Sequence, residues 1–256
     1  MATFDGYVAK LAQYVEQMQG KGVHVRRIDC PATASELLEG LPIRVGEGAQ
    51  SGIILRGDTF IELGSPDVGS CSFFLWTNKP ALISDRKITL VGPDIPESPG
   101  ASLPLGQVLM LGGQNLCEED QSALERALII SDQIEGYMVK SVSQHTWGRV
   151  SNEAAQKGFC FETLGRGLMA IVKSALPKVE AMEILFVTSS KEDLQPLENM
   201  ATQVQEIAQN IVRENWKAKG YNIDECGFGG NCSDCGYRPV CDEVREVIAD
   251  RKRDAD

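Results

Sequence analysis

Cys226, Cys232, Cys235 and Cys241 stand within sixteen residues, CGFGGNCSDCGYRPVC, with five, two and five residues between successive thiols. A pair separated by two residues lets both thiolates reach one metal centre from a single tight turn. Gly227, Gly229, Gly230 and Gly236 allow the backbone to wrap closely and to turn amides toward sulfur, where they would tune a redox potential. Zinc ribbons usually carry two such pairs across a longer spacer. A compact run with one pair and a nearby proline, Pro239, is closer to the distribution of iron-sulfur ligands. The spacing therefore predicts a [4Fe-4S] cluster on these four cysteines, with structural zinc (Zn) as the alternative. The other four thiols, Cys30, Cys71, Cys117 and Cys160, share no spacing and stand beside apolar residues, so they read as buried small hydrophobes.

No acid–base dyad or Ser-His-Asp arrangement is legible, and no catalytic residue is assigned. His24 and His145 are the only histidines. His145 reads as a surface or strand-end residue, with a proton-carrying role as the alternative.

The elements that must position these residues alternate along the chain. Val8, Leu11, Tyr14, Val15 and Met18 have helical spacing, and Gly20-Lys21-Gly22 separates that helix from a strand-like VHVRRI. SGIILRGDTFIELG predicts two short strands about a turn at Arg56-Gly57-Asp58. CSFFLW, KITLVG and QVLMLGG are strand candidates, and PDIPESPGASLPLG reads as a loop. Glu118, Glu119 and Asp120 suit a helix N-terminus ahead of Leu124, Ala127, Leu128, Ile134 and Met138. One strand is expected around VKSVSQHTWGRVS, then short helices over 151–158 and 164–175 and a strand in VEAMEILFVTS. A long helix carries Leu194, Leu197, Met200, Val204, Ile207, Ile211 and Trp216, with Gly220 as its stop. The alternation predicts an α/β fold, a mixed sheet with packed helices, followed by a small cysteine-rich metal-binding segment. The expected division is a helix-strand region over 1–50, an α/β domain over 51–220 and the cysteine segment over 221–256.

The chain has 256 residues, 43% hydrophobic and 24% charged, which suits an ordinary globular protein with its own core. Lys and Arg total 25 against 36 Asp and Glu, a formal charge of -11, so nucleic acid and anionic lipid are not expected partners. No apolar run approaches the length of a membrane helix, and MATFDGYVAKLAQ lacks the basic-then-apolar pattern of a signal peptide. The expectation is a cytoplasmic protein.

From about Arg56 to Asp193, the strings FIELGSP, KITLVGPDIPESPGASLPLG, ALERALIISDQIEGYM, TWGRVSNEAAQKGF and EILFVTSSKED follow one another in order. In them the chain resembles the acetyl-CoA synthase β-subunit of the carbon monoxide dehydrogenase complex. The resemblance implies an α/β domain in which a tryptophan, here Trp147, contacts coenzyme A by stacking on adenine, with Arg149 as a phosphate partner. Arg166 and Lys173 are weaker phosphate candidates on a helix. Read from the residues alone, packing into the core at a strand end is the favoured reading of Trp147.

Two departures limit what is carried over. That family holds its outer nickel in a Cys-Gly-Cys tripeptide, which this sequence lacks, and the cysteine spacing also differs. The complete acetyl-CoA-forming reaction is therefore not expected. The expected role is a [4Fe-4S] protein in electron transfer or complex assembly within anaerobic one-carbon or acyl-CoA metabolism. Its partner would be a redox, corrinoid or carbon monoxide dehydrogenase-type subunit. The alternatives are a cluster-dependent enzyme acting on a CoA thioester or a corrinoid-borne methyl group, and a zinc-stapled interaction module.

Overall fold

The five apolar positions of the first helical stripe are all buried in α1 (Asp5–Gly20). This computed structural model describes residues 4–46, 49, 52–97, 102–114, 116, 120, 124, 133–142 and 145–218. Cys117, Cys226, Cys232, Cys235 and Cys241, and the expected stop at Gly220, lie outside the described residues. Met1–Thr202 form one compact unit and Gln203–Asp256 another; both sheets belong to the first.

Two apolar runs form the centre of the larger sheet. β6 (Leu105–Gly112) and β9 (Ala181–Val187) pair antiparallel, with nearly every residue buried. A strand covered on both faces has no solvent side to alternate toward, which is why these two read as continuous apolar runs. β3 (Ser70–Thr77) runs parallel to β6, β4 (Lys87–Val91) parallel to β9, and β1 (Val25–Asp29) antiparallel to β4 at the edge. The order is β1-β4-β9-β6-β3.

Each face of this sheet has its own cover. α4 (Phe161–Ala175) lies on one side, with Phe161 against Phe186 at 4.9 Å between ring centroids. Gly165 permits that approach, since a Cβ there would lie 2.5 Å from Ile88 Cδ1. Leu185, one residue from Phe186 and so on the other face, lines one recess together with Val8, Leu11 and Val15 of α1. α5 (Lys191–Ala218) begins on that face too, with Leu194 and Leu197 pressed on Gly106 of β6. The short helix α2 (Ala34–Leu38) begins with a reciprocal Thr33–Glu36 capping box and packs beside α4.

A second, four-stranded sheet contains β5 (Ser102–Leu103), β2 (Thr59–Leu63), β8 (His145–Ser151) and β7 (Tyr137–Val142), in the order β5-β2-β8-β7. β8 leads into α3 (Asn152–Gln156), whose first turn is capped by the Ser151 hydroxyl accepting from Ala154 N–H. The α/β class with mixed sheets and packed helices is as the sequence leads one to expect.

Four local expectations are corrected. Residues 52–55 form no strand: β2 already has β5 and β8 on its two edges, so no ladder remains for the segment before Arg56. Within the expected loop 93–106, Ser102 and Leu103 pair with β2, and Gly64 N–H donates to Leu103 O at 2.8 Å. Met138, placed by spacing on a helix, lies in β7. The single strand expected around residue 145 is two strands, β7 and β8, paired antiparallel with Val142 opposite His145. The two residues between them, Ser143 and Gln144, carry no Asn-Gly or Asp-Gly signal that would have marked the turn.

Candidate functional site

β8 alternates between an inner and an outer face. Thr146, Gly148 and Val150 are buried, while His145, Trp147 and Arg149 share the outer face. β7 supplies the neighbours: Lys140 stands directly opposite Trp147, and Met138 opposite Arg149. Opposed residues of an antiparallel ladder lie side by side on one face. The outer face therefore presents a half-buried indole flanked by two cations.

Those cations are not equivalent. The Arg149 guanidinium donates from Nε to Glu62 Oε1 at 2.9 Å and approaches the same oxygen through Nη2 at 2.8 Å. Nη1 donates to Ile54 O at 3.1 Å, and the guanidinium carbon Cζ lies over the Trp147 ring, 4.6 Å from its centroid. Held on three sides, Arg149 braces the indole and ties down the segment before β2. Its charge is already matched by Glu62, so a phosphate would have to displace a carboxylate to reach it. Lys140 is exposed, and among the described residues no ion pair engages it. Of the two, Lys140 is the cation available to an anion. It was not singled out from sequence, because its place beside Trp147 depends on the unrecognised hairpin.

His145 is exposed, and its Nδ1 is 2.9 Å from Ser70 O, as the N–H tautomer donating to that carbonyl. It borders a recess of about 250 Å³ that also includes Ser70, Cys71, Glu198 and Asn199. Cys71 and His145 thus share a recess without forming a nucleophile and base. Burial, with a smaller contribution from Glu198, pushes the Cys71 thiol up to about 12, so it stays protonated at neutral pH. Cys30 is likewise buried and pushed up to about 11 by desolvation. Cys160 is half-buried, 3.4 Å from the Thr163 hydroxyl.

The two helical phosphate candidates are engaged elsewhere. Arg166 donates to the carbonyls of Leu37, Glu36 and Glu39 at 3.0, 3.2 and 2.7 Å, capping the C-terminal end of α2. Lys173 Nζ donates to Ala32 O at 2.6 Å. Both hold α2 against α4. Among the described residues, no three metal-ligating side chains converge.

Residues 41–193 match the family described as the CO dehydrogenase/acetyl-CoA synthase complex beta subunit. The chain belongs to that family. Trp147, Arg149, Lys140 and Glu62 all lie inside the matched stretch; α1, β1 and the four cysteines of 226–241 lie outside it. One relative is acetyl-CoA decarbonylase/synthase complex subunit beta 1 of Methanosarcina acetivorans, 30% identical over 168 residues, covering 64% of this chain and 33% of the relative. The beta 2 subunit of the same organism is 33% identical over 142 residues, covering 54% and 30%. The carbon monoxide dehydrogenase/acetyl-CoA synthase subunit alpha of Moorella thermoacetica is 33% identical over 143 residues, covering 54% of this chain and 19% of that protein. The matched stretch thus spans a third or less of each of these acetyl-CoA synthase-type relatives.

Proposed function

We propose that this member of the acetyl-CoA synthase β-subunit family is an iron-sulfur protein, acting in electron transfer or complex assembly in anaerobic one-carbon or acyl-CoA metabolism. The observation that carries this reading is a family-matched α/β domain over 41–193 on the same chain as four cysteines within sixteen residues. Cys226, Cys232, Cys235 and Cys241 would hold a [4Fe-4S] cluster, and a donor set of four thiolates suits that group. Such a cluster, when bound, supplies electron transfer and offers no open iron site to a substrate. Without Cys-Gly-Cys in the sequence, acetyl-CoA formation at a nickel centre is not part of the proposal. The Methanosarcina acetivorans relatives are named as subunits of a complex, which supports a protein partner of redox, corrinoid or carbon monoxide dehydrogenase type.

A second role, coenzyme A binding, is favoured by the outer face of the β7–β8 hairpin. An indole braced by Arg149 suits stacking on adenine, and the exposed Lys140 ammonium beside it suits a phosphate. This assigns Trp147 the stacking contact and gives Arg149 a supporting place rather than the phosphate contact.

Anaerobic purification with iron and sulfide analysis and electron paramagnetic resonance of the reduced protein tests the first role. About four irons and four sulfides per chain are expected for one cubane. Stoichiometric zinc without sulfide would replace the reading with a zinc-stapled interaction module. Quenching of tryptophan fluorescence by CoA, lost in Trp147→Phe, tests the second.

A further inference from the structure

α5 is drawn onto the large sheet by Leu194 and Leu197, which close on the bare Cα of Gly106. Gly106 stands opposite Cys71 in the β3–β6 register, so the next turn of the helix brings Glu198 and Asn199 beside Ser70 and Cys71. The space left there is the recess of about 250 Å³ that His145 borders. At about 30 Å³ per water-sized group it has room for about eight non-hydrogen atoms, the size of a furanose ring with its two hydroxyls and exocyclic carbon. Ser70, Cys71 and His145 belong to the family-matched stretch, whereas Glu198 and Asn199 follow it on α5.

The hydrogen-bonding groups of this recess are largely unpaired. Ser70 is only 7% exposed, yet among the described residues its hydroxyl has no hydrogen-bond partner. With Nδ1–H on the Ser70 carbonyl, His145 offers Nε2 as a free acceptor. The exposed Asn199 amide is unpaired among the described residues, and the half-buried Glu198 carboxylate takes one donor there, Gln195 Nε2 at 3.1 Å from Oε2. Among the described residues no lysine or arginine lines the recess. Lys191, two turns back on α5, is engaged by the carbonyls of Pro66 and Asp67 at 3.3 and 3.4 Å. A carboxylate, an imidazole, an amide and a hydroxyl around one small space call for several donors spread over a ring, as a vicinal diol has, rather than a single point charge. The same carboxylate repels a phosphate. An acidic side chain that accepts from ribose hydroxyls disfavours a phosphorylated ribose for this reason.

His145 precedes Trp147 by two residues on the same face of β8, about 7 Å along the strand. A nucleoside spans that step, with its base at the indole and its sugar beyond His145. We propose that the recess is a ribose site: it holds the 2′,3′-diol of an adenine nucleotide whose base stacks on Trp147, Glu198 accepts from the diol, and a ribose phosphorylated at the 3′ position is disfavoured. The site rests on the stacking role of Trp147 and leaves Lys140 to the 5′-diphosphate. Coenzyme A carries a 3′-phosphate on its ribose, so its 3′-dephospho form is the better ligand.

The probe pair is 3′-dephospho-coenzyme A and coenzyme A, each titrated into the full-length protein with tryptophan fluorescence as the readout. The dephospho form is expected to bind about tenfold more tightly. Glu198→Gln, which keeps the side chain's shape and removes its charge, should abolish most of that preference. Asn199→Arg, at an exposed helix position, should reverse it by giving the 3′-phosphate a cation. Equal affinity for the two probes, tighter binding of coenzyme A to the wild-type protein, or an undiminished preference in both variants would each overturn the ribose site while leaving the stacking role of Trp147 standing. Absence of quenching by either probe would remove the stacking role and the ribose site together. Because the two variants change different side chains, the test stands even where one of them impairs folding.

Discussion

At the scale of single residues, the outer face of β8 is organised by Arg149. Its guanidinium serves Glu62, the carbonyl of Ile54 and the ring of Trp147 at once, so its removal leaves a half-buried carboxylate unpaired and the indole unbraced. Arg149→Ala is expected to lower stability by about 2 kcal/mol, read by urea denaturation. Lysine should recover only part of the loss, because an ammonium has no plane to lay on the ring and its single nitrogen cannot reach the Glu62 carboxylate and the Ile54 carbonyl as the guanidinium fork does. Lys140→Glu should leave stability nearly unchanged and weaken CoA quenching of Trp147 fluorescence by about tenfold.

Cys71 is the other informative residue. The buried thiol ionises only near 12, whereas an unfolded thiol ionises near 9. The folded form holds its proton longer, so the stability contributed is complete below pH 9 and is lost as pH rises toward 12. Between pH 9 and 11 the wild-type protein should lose more stability per pH step than Cys71→Ala. In the native protein at pH 8, iodoacetamide should leave Cys71 unmodified in peptide mapping, with full labelling once denaturant is added.

At the scale of elements, the contact of α4 with the large sheet rests on the bare Cα of Gly165 over Ile88 and Phe186. Gly165→Val must push the helix from β4 and β9 or force Ile88 from its rotamer. A loss of about 1–3 kcal/mol is expected by thermal or urea denaturation. The elements legible in the sequence were those with strong periodicity or continuous apolar character: α1, α4, β6 and β9. The hairpin was not legible, because VKSVSQHTWGRVS runs through Ser143 and Gln144 without a turn signal. Residues 52–55 failed for the opposite reason. Their aliphatic run looks like a strand, yet Ile53 is 86% and Leu55 62% exposed, because both edges of β2 are already paired.

At the scale of the whole molecule, the family-matched domain and the cysteine segment are expected to be separable in function. Replacing Cys232 and Cys235 by serine should abolish iron binding and the visible charge-transfer absorbance. The thermal transition of the Met1–Thr202 unit should persist, because that unit carries both sheets and a buried core of its own. If instead the whole protein became insoluble or unfolded, the cluster would be an integral part of the fold rather than an appended redox group.

The amino-acid sequence by itself determined what depends on local order: the α/β class, the buried thiols at Cys30 and Cys71, the family, and a cysteine spacing suited to a metal centre. These follow from periodicity, short spacings and strings that need no distant partner to be read. Tertiary structure decided which cation stands beside Trp147. Lys140 and Trp147 are opposed only because two strands pair in one register, and Arg149 is occupied only because Glu62, 87 residues away in sequence, is brought to it on β2. Strand register and long-range packing bring together residues whose separation in sequence carries no trace of their proximity.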